Sequence, residues 1–236
     1  TIRLEAHPEI NLSSRSIRRS IRSADYAPAI TKLTTCNFNS GRNHGIDTWV
    51  NHWIGMGTYA GAFSSFHDCK RQTSAHFVIS SSGEITQVVS VGNTAWHAGA
   101  KGHPYNNSRS IGVEHEVTAT NPNGWNTTWT TPLLRASANM ARYFADQYNK
   151  IPKTRPSAKA DKPGIRGHNE MPGTNTACPG TFLWDTWMRF FNLSVFDLWV
   201  KAAPIYAGVK NGFDALFKLK NNTAQTMMVT KVAMAI

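Results

Sequence analysis

Gly167-His168-Asn169-Glu170-Met171-Pro172-Gly173-Thr174-Asn175-Thr176-Ala177-Cys178-Pro179-Gly180 sets a histidine and a cysteine ten residues apart, with a Pro-Gly turn between them and another just after. A neutral imidazole and a soft thiolate are both favoured zinc donors. Two donors do not complete a site. If a metal binds here, another part of the chain must bring at least one more. Taken alone, the pair reads equally well as a turn histidine and a buried thiol.

Working outward, Ile46-Asp47-Thr48-Trp49-Val50-Asn51-His52-Trp53-Ile54 is β-branched and aromatic and is expected to be a strand stopping at Gly55-Met56-Gly57. His52 then lies near a strand's C-terminal end, where α/β sheets present functional groups. Thr58 to His67 reads as a helix with Tyr59, Phe63 and Phe66 on one side. Ser74 to Ser80 and Glu84 to Val89 read as a hairpin around Ser81-Ser82-Gly83. In the strand Ser110 to Val117, alternation puts Gly112, Glu114 and Glu116 on one face and Ile111, Val113 and His115 on the other. Thr131-Pro132 is expected to open a long helix by hydroxyl cap and first-turn proline. Its apolar stripe runs through Leu133, Leu134, Met140, Ala141, Phe144 and Tyr148, with the small Ser137 in the middle allowing close packing. Thr154 to Gly164 reads as a Lys- and Pro-rich loop, and Phe182 to Phe191 as a short aromatic helix.

The chain of 236 residues, 41% hydrophobic, can bury one full core. No apolar run reaches the roughly 20 residues of a membrane helix, and the N-terminus lacks the basic-then-apolar order of a secretory signal. A net charge of +11 favours polyanionic partners. Cys36, Cys69 and Cys178 are too few for a disulfide framework; Cys36 and Cys69 can form one bridge or stay reduced, leaving Cys178 for metal. Arg15, Arg18, Arg19 and Arg22 fall at helical spacing in a basic N-terminal extension (residues 1–40). Residues 192–236 are amphipathic, then apolar and Met-rich, and read as a docking appendage.

Six segments occur in an order that resembles the type-2 N-acetylmuramoyl-L-alanine amidases, whose fold is shared with amidase-type phage lysozymes and peptidoglycan recognition proteins. They are Trp49-Val50-Asn51-His52-Trp53, Ser74-Ala75-His76-Phe77-Val78-Ile79, Gly83-Glu84-Ile85, Ala95-Trp96-His97-Ala98-Gly99, Ser110-Ile111-Gly112-Val113-Glu114 and the Gly167–Gly180 stretch, spread over residues 41–191. The resemblance implies an α/β domain there: a mixed central sheet of about five strands, helices on both faces and a zinc-containing cleft. It implies a Zn2+ ion held by His52, His168 and Cys178, a three-donor set that leaves the fourth position of catalytic zinc open. It further implies Glu114 as the proton-handling carboxylate, with Glu116 as a rival on the same face, and a substrate-lining His97 with Trp96 packed beneath. His76 reads as a core histidine.

Two positions depart from the family's pattern. Ala75 stands where many relatives have tyrosine, which places more weight on Glu114. Thr176 stands where lysine is often found to stabilise the oxyanion, and its hydroxyl is a weaker donor for that catalytic role. The implied reaction is hydrolysis of the amide joining N-acetylmuramic acid to L-Ala of peptidoglycan. The implied setting is a phage or prophage lytic enzyme, held in the host cytoplasm until lysis or carried on the virion and docked there through its C-terminal segment. The alternative is a non-catalytic peptidoglycan-binding module of the same fold. Neither a nucleic-acid partner nor a membrane span is expected.

Overall fold

The computed structural model describes residues 24–55, 57–117 and 128–193. Residues 1–23 of the extension expected at 1–40 and residues 194–236 of the appendage expected at 192–236 lie outside the described residues, while residues 24–40 are part of the folded domain and contribute two short strands. The elements in order are β1 (Ile30–Thr31), β2 (Phe38–Asn39), β3 (Thr48–Trp53), α1 (Tyr59–His67), β4 (Phe77–Ile79), β5 (Ile85–Gln87), β6 (Thr94–Ala95), β7 (Ser110–His115), α2 (Thr131–Gln147), β8 (Gly164–Gly167), a 3-10 turn (His168–Glu170) and α3 (Trp184–Asn192).

Six strands form one mixed sheet in the order β1-β5-β4-β7-β3-β8, and β2 and β6 form a separate antiparallel pair. The run β4-β7-β3-β8 is parallel, and β5 turns back antiparallel on β4. The expected hairpin is present, its turn closed at Gly83 with a φ of 90° that a side chain would resist. The sixth strand beyond the expected number includes β8, where two glycines and a charged residue give little strand signal. Arg166 is nevertheless buried there, its guanidinium donating to the carbonyls of Ser157, Ala160, Lys162 and Glu170. One cation thus pins the Lys- and Pro-rich loop and completes the sheet edge.

Period-two alternation divides the sheet into two different faces. Trp49, Phe77, Ile79, Ile111, Val113 and Ile165 pack against Leu133, Leu134, Ala138, Met140, Ala141 and Phe144 of α2 and Trp187 and Phe191 of α3. Phe144 sits 5.5 Å from the Phe77 ring and 6.1 Å from the Trp49 ring, centroid to centroid. The cap of α2 is Thr130, one residue before the expected Thr131, and its hydroxyl accepts from Leu133 N–H. Ser137 is more than a small spacer. It accepts from the Trp187 indole N–H at 2.9 Å and contacts His115 Nε2 at 2.7 Å.

The opposite face carries a smaller cluster, Val78, Val88, Val89, Ala75 and Ala95 against Ala62 and Phe66 of α1. This thinner layer is stapled by a disulfide between Cys36 and Cys69, just past the end of α1. Ala75 is fully buried in that layer. Helices therefore cover both faces, as expected for this α/β class.

Candidate active site

The parallel register brings the main groups together before any side-chain contact is considered. His52 pairs with Glu114 across β3 and β7, and Asn51 pairs with Gly167 across β3 and β8. His168 follows Gly167 directly, so His52, Glu114 and His168 meet at the carboxyl ends of three adjacent strands. Their side chains share the α1 face, because Trp49 and Val113 take the α2 face.

Cys178 arrives by a loop folded back on itself. Asn169 N–H donates to the Cys178 carbonyl at 2.6 Å, and Cys178 N–H donates to Thr176 Oγ at 3.1 Å. Gly167 is required at its position: a Cβ there would stand 2.8 Å from Pro179. The Cys178 sulfur lies 3.4 Å from Trp53 N and 3.6 Å from His52 Nδ1. One donor atom each from His52, His168 and Cys178 fall within 4.8 Å of one another.

The chemistry of this donor set fits a metal ion. Burial, then His168 and His97, hold the His52 imidazole well below its usual range, and burial then Lys159 lower His168 to about 4. Both rings are therefore neutral, with lone pairs free to coordinate. Burial and then Glu114 push the Cys178 thiol up when no cation is near. A soft, nitrogen–sulfur set of three suits zinc, with a position left for a further ligand.

Glu114 stands beside this cluster, its Oε1 3.9 Å from His52 Nδ1 and its side chain 17% exposed. Burial raises its carboxyl to about 8. Among the described residues its Oε2 and the Asn51 amide nitrogen are the buried polar side-chain atoms without a hydrogen bond, and an orphaned oxygen at a cleft is free for a reacting partner. Glu116, the rival, is already engaged. Its two oxygens accept from Tyr59 N–H at the start of α1 and from Ser81 N–H in the β4–β5 turn. The structure thus gives Glu116 a tethering job and leaves Glu114 at the site.

The Trp96-His97 pair divides. Trp96 donates its indole N–H to Asn39 Oδ1 at 2.6 Å on a partly exposed face. His97 lies beneath the cleft surface at 9% exposure, its Nδ1 3.0 Å from His52 Nε2 and its Nε2 3.1 Å from Ser110 Oγ. Burial, then His168 and Arg42, lower His97 to about 3, so it too is neutral. Thr176 is half-buried, and with its oxygen accepting from Cys178 its O–H remains available as a donor. His115, which carries no motif signal, lies under the ligand from the other face, its Nδ1 2.5 Å from the His52 carbonyl. The partner is 63 residues away, a separation no local pattern reveals.

Residues 42–181 match the sequence profile of the N-acetylmuramoyl-L-alanine amidase family. N-acetylmuramoyl-L-alanine amidase A of Achromobacter lyticus is 29% identical over 188 residues, 72% of this chain and 94% of that protein. Among solved structures, a selenomethionine AmpD derivative superposes with a TM-score of 0.56 at 22% identity, over 70% of this chain and 95% of that one. A mutant endolysin from Bacillus subtilis superposes with a TM-score of 0.51 at 19% identity, over 70% of this chain and 98% of that one. The profile match spans more than half of the chain and contains both histidines, the cysteine and Glu114: this chain belongs to the N-acetylmuramoyl-L-alanine amidase family.

Proposed function

We propose that the protein is a zinc-dependent peptidoglycan amidase that cleaves the bond between the lactyl group of N-acetylmuramic acid and L-Ala of the stem peptide. The observation carrying this reading is the convergence of His52, His168 and Cys178 within 4.8 Å, with the partly buried carboxyl of Glu114 beside them. These three residues would hold the ion. Zinc bound there would supply Lewis acidity toward the scissile carbonyl and make water acidic enough to react near neutral pH.

The chain's own residues handle the rest. Beside a bound cation, whose charge would favour its ionised form, Glu114 takes a proton from the attacking water and returns it to the departing amine. An amide needs that second transfer because an unprotonated amine leaves poorly. Thr176 offers its O–H to the developing oxyanion, a neutral donor in place of a cation. Trp96 contributes a partly exposed aromatic face to the substrate-facing loop.

Purified cell wall incubated with the protein should release peptides beginning with L-Ala. Chelator should stop the release, and added zinc should restore it. Unchanged release by Cys178→Ser would overturn the metal assignment, and wall binding without release would favour the non-catalytic module. The setting we assign is a phage or prophage lytic enzyme, in keeping with the endolysin among its fold relatives. Residues 192–236 are its docking segment, for the wall or another phage structural protein. Deleting residues 193–236 should then abolish docking and spare zinc binding; loss of the folded amidase domain would instead make the segment structural.

A further inference from the structure

We infer that a hydrogen-bond relay from the Asn106 carbonyl through Ser110 and His97 fixes the proton of His52 on Nε2, leaving Nδ1 bare toward His168 and Cys178. The inference rests on the metal reading of those three residues and assigns His97 a positioning role.

The direction of the relay is forced at its far end. The Asn106 carbonyl can only accept, so the Ser110 hydroxyl spends its proton there. With that proton committed, Ser110 Oγ receives the contact from His97 Nε2 at 3.1 Å as an acceptor, so Nε2 carries the hydrogen. A neutral imidazole has one N–H. His97 Nδ1 is therefore bare and accepts from His52 Nε2–H at 3.0 Å. The remaining nitrogen of His52, Nδ1, is the atom 3.6 Å from the Cys178 sulfur. Every link has one donor and one acceptor, and reversing any link leaves two hydrogens or two lone pairs facing each other.

The relay is also held in shape. The His97 ring rests directly on Gly112 of β7, where an added Cβ would stand 2.3 Å from its Cγ. The backbone N–H groups of His97 and Ala98 both donate to Asn107 Oδ1, at 3.1 and 2.7 Å. On the other side of the sheet, the Trp187 indole can only donate and the His52 carbonyl can only accept. Ser137 and His115 between them are consequently ordered as Trp187 N–H to Ser137, Ser137 O–H to His115 Nε2, and His115 Nδ1–H to the His52 carbonyl. His52 is gripped by its ring from one face and by its backbone from the other. Ligating histidines characteristically have their second nitrogen oriented by such a partner, and losing it costs about 10–100-fold in metal affinity.

The test uses the full-length chain, both metal-free and titrated with zinc against a competing chelator. Two-bond 1H–15N spectra of the histidine-labelled, metal-free protein should show His52 and His97 both protonated on Nε2. A proton on His97 Nδ1 would overturn the relay. In the titration, His97→Phe should weaken zinc binding by about 10–100-fold. His97→Asn, whose side-chain oxygen can replace Nδ1 as acceptor, should recover most of that loss. Ser110→Ala should blur the single tautomer in the spectra and fall between them in affinity. Wild-type affinity in His97→Phe, or no recovery in His97→Asn with a wild-type melting temperature, would defeat the proposal. Should His97→Phe fail to fold, the tautomer spectra of the wild type and Ser110→Ala still decide it. A wild-type protein that binds no zinc would sink the metal reading separately, because the tautomers are read without metal.

Discussion

The two faces of the central sheet are built from the same strands and behave as different materials. Under α2 and α3, Trp49, Phe77, Ile111, Val113 and Ile165 meet Phe144, Leu133 and Met140 in an apolar layer. One residue along each strand, the α1 face holds Val50, His52, Gly112 and Glu114 above a thinner hydrophobic cluster. The first face, though it admits the buried His115–Ser137 hydrogen bond, supplies stability chiefly through buried area. The second keeps neutral imidazoles and an orphaned carboxyl oxygen in place, which costs stability and makes chemistry available. Separating the two burdens by alternation lets a six-residue strand such as β3 carry both.

The comparison breaks most sharply at Glu114. Glu114→Gln should lower turnover by about 10²–10⁴-fold while leaving zinc affinity and melting temperature close to wild type, because its Oε2 has no partner to lose. An intact rate would remove Glu114 from the chemistry. Phe144→Ala should do the reverse. It should cost about 3–5 kcal/mol in denaturant unfolding and leave the rate per folded molecule unchanged. A comparable loss of rate would show that the two faces are not separable.

The disulfide sharpens the contrast, since it reinforces the thinner layer. Cys36 and Cys69 are 33 residues apart, a loop whose closure contributes about 3–4 kcal/mol in the chain-entropy picture. Reduction should lower stability toward that extent, measured with and without reductant. A negligible change would mean that α1 is held by its own cluster alone.

A smaller effect should appear with pH in the metal-free protein. Burial lowers His115 to about 4 and holds His76 well below its usual range. The unfolded chain, with histidines near 6.5, binds more protons in that window. Stability should therefore fall as pH drops from about 6.5 toward 4, and His115→Asn should flatten the slope in denaturant titrations. An unaltered slope would show that His115 does not contribute to it.

Much of this arrangement was legible in the sequence because it is local. The alternation around His52 and Glu114, the Ser81-Ser82-Gly83 turn and the stripe of α2 each announce their element within a few residues. The strand β8 did not, because Arg166 is made compatible with a buried strand only by carbonyls from a loop the pattern cannot place. Glu114 and Glu116 share a face on paper; motif position favours Glu114, and the contacts to Tyr59 and Ser81 supply the physical reason. The partnership of His97 with His52 spans 45 residues, and that of His115 with Ser137 joins a strand to a helix. Hydrogen bonds of that reach leave no periodic trace.

The buried guanidinium of Arg166 also bears on survival among proteases. The loop it gathers is rich in cations, the usual targets of trypsin-like enzymes. Arg155 and Lys162 are each followed by proline, a junction such enzymes cut poorly, while Lys153, Lys159 and Arg166 are not. Arg166 itself is shielded, and its grip on the carbonyls of Ser157, Ala160 and Lys162 keeps the backbone between the other sites from straightening into a protease cleft. A cation-rich segment is thereby held in a folded path, unlike the extended one a protease cleft accepts, for as long as one side chain stays in place.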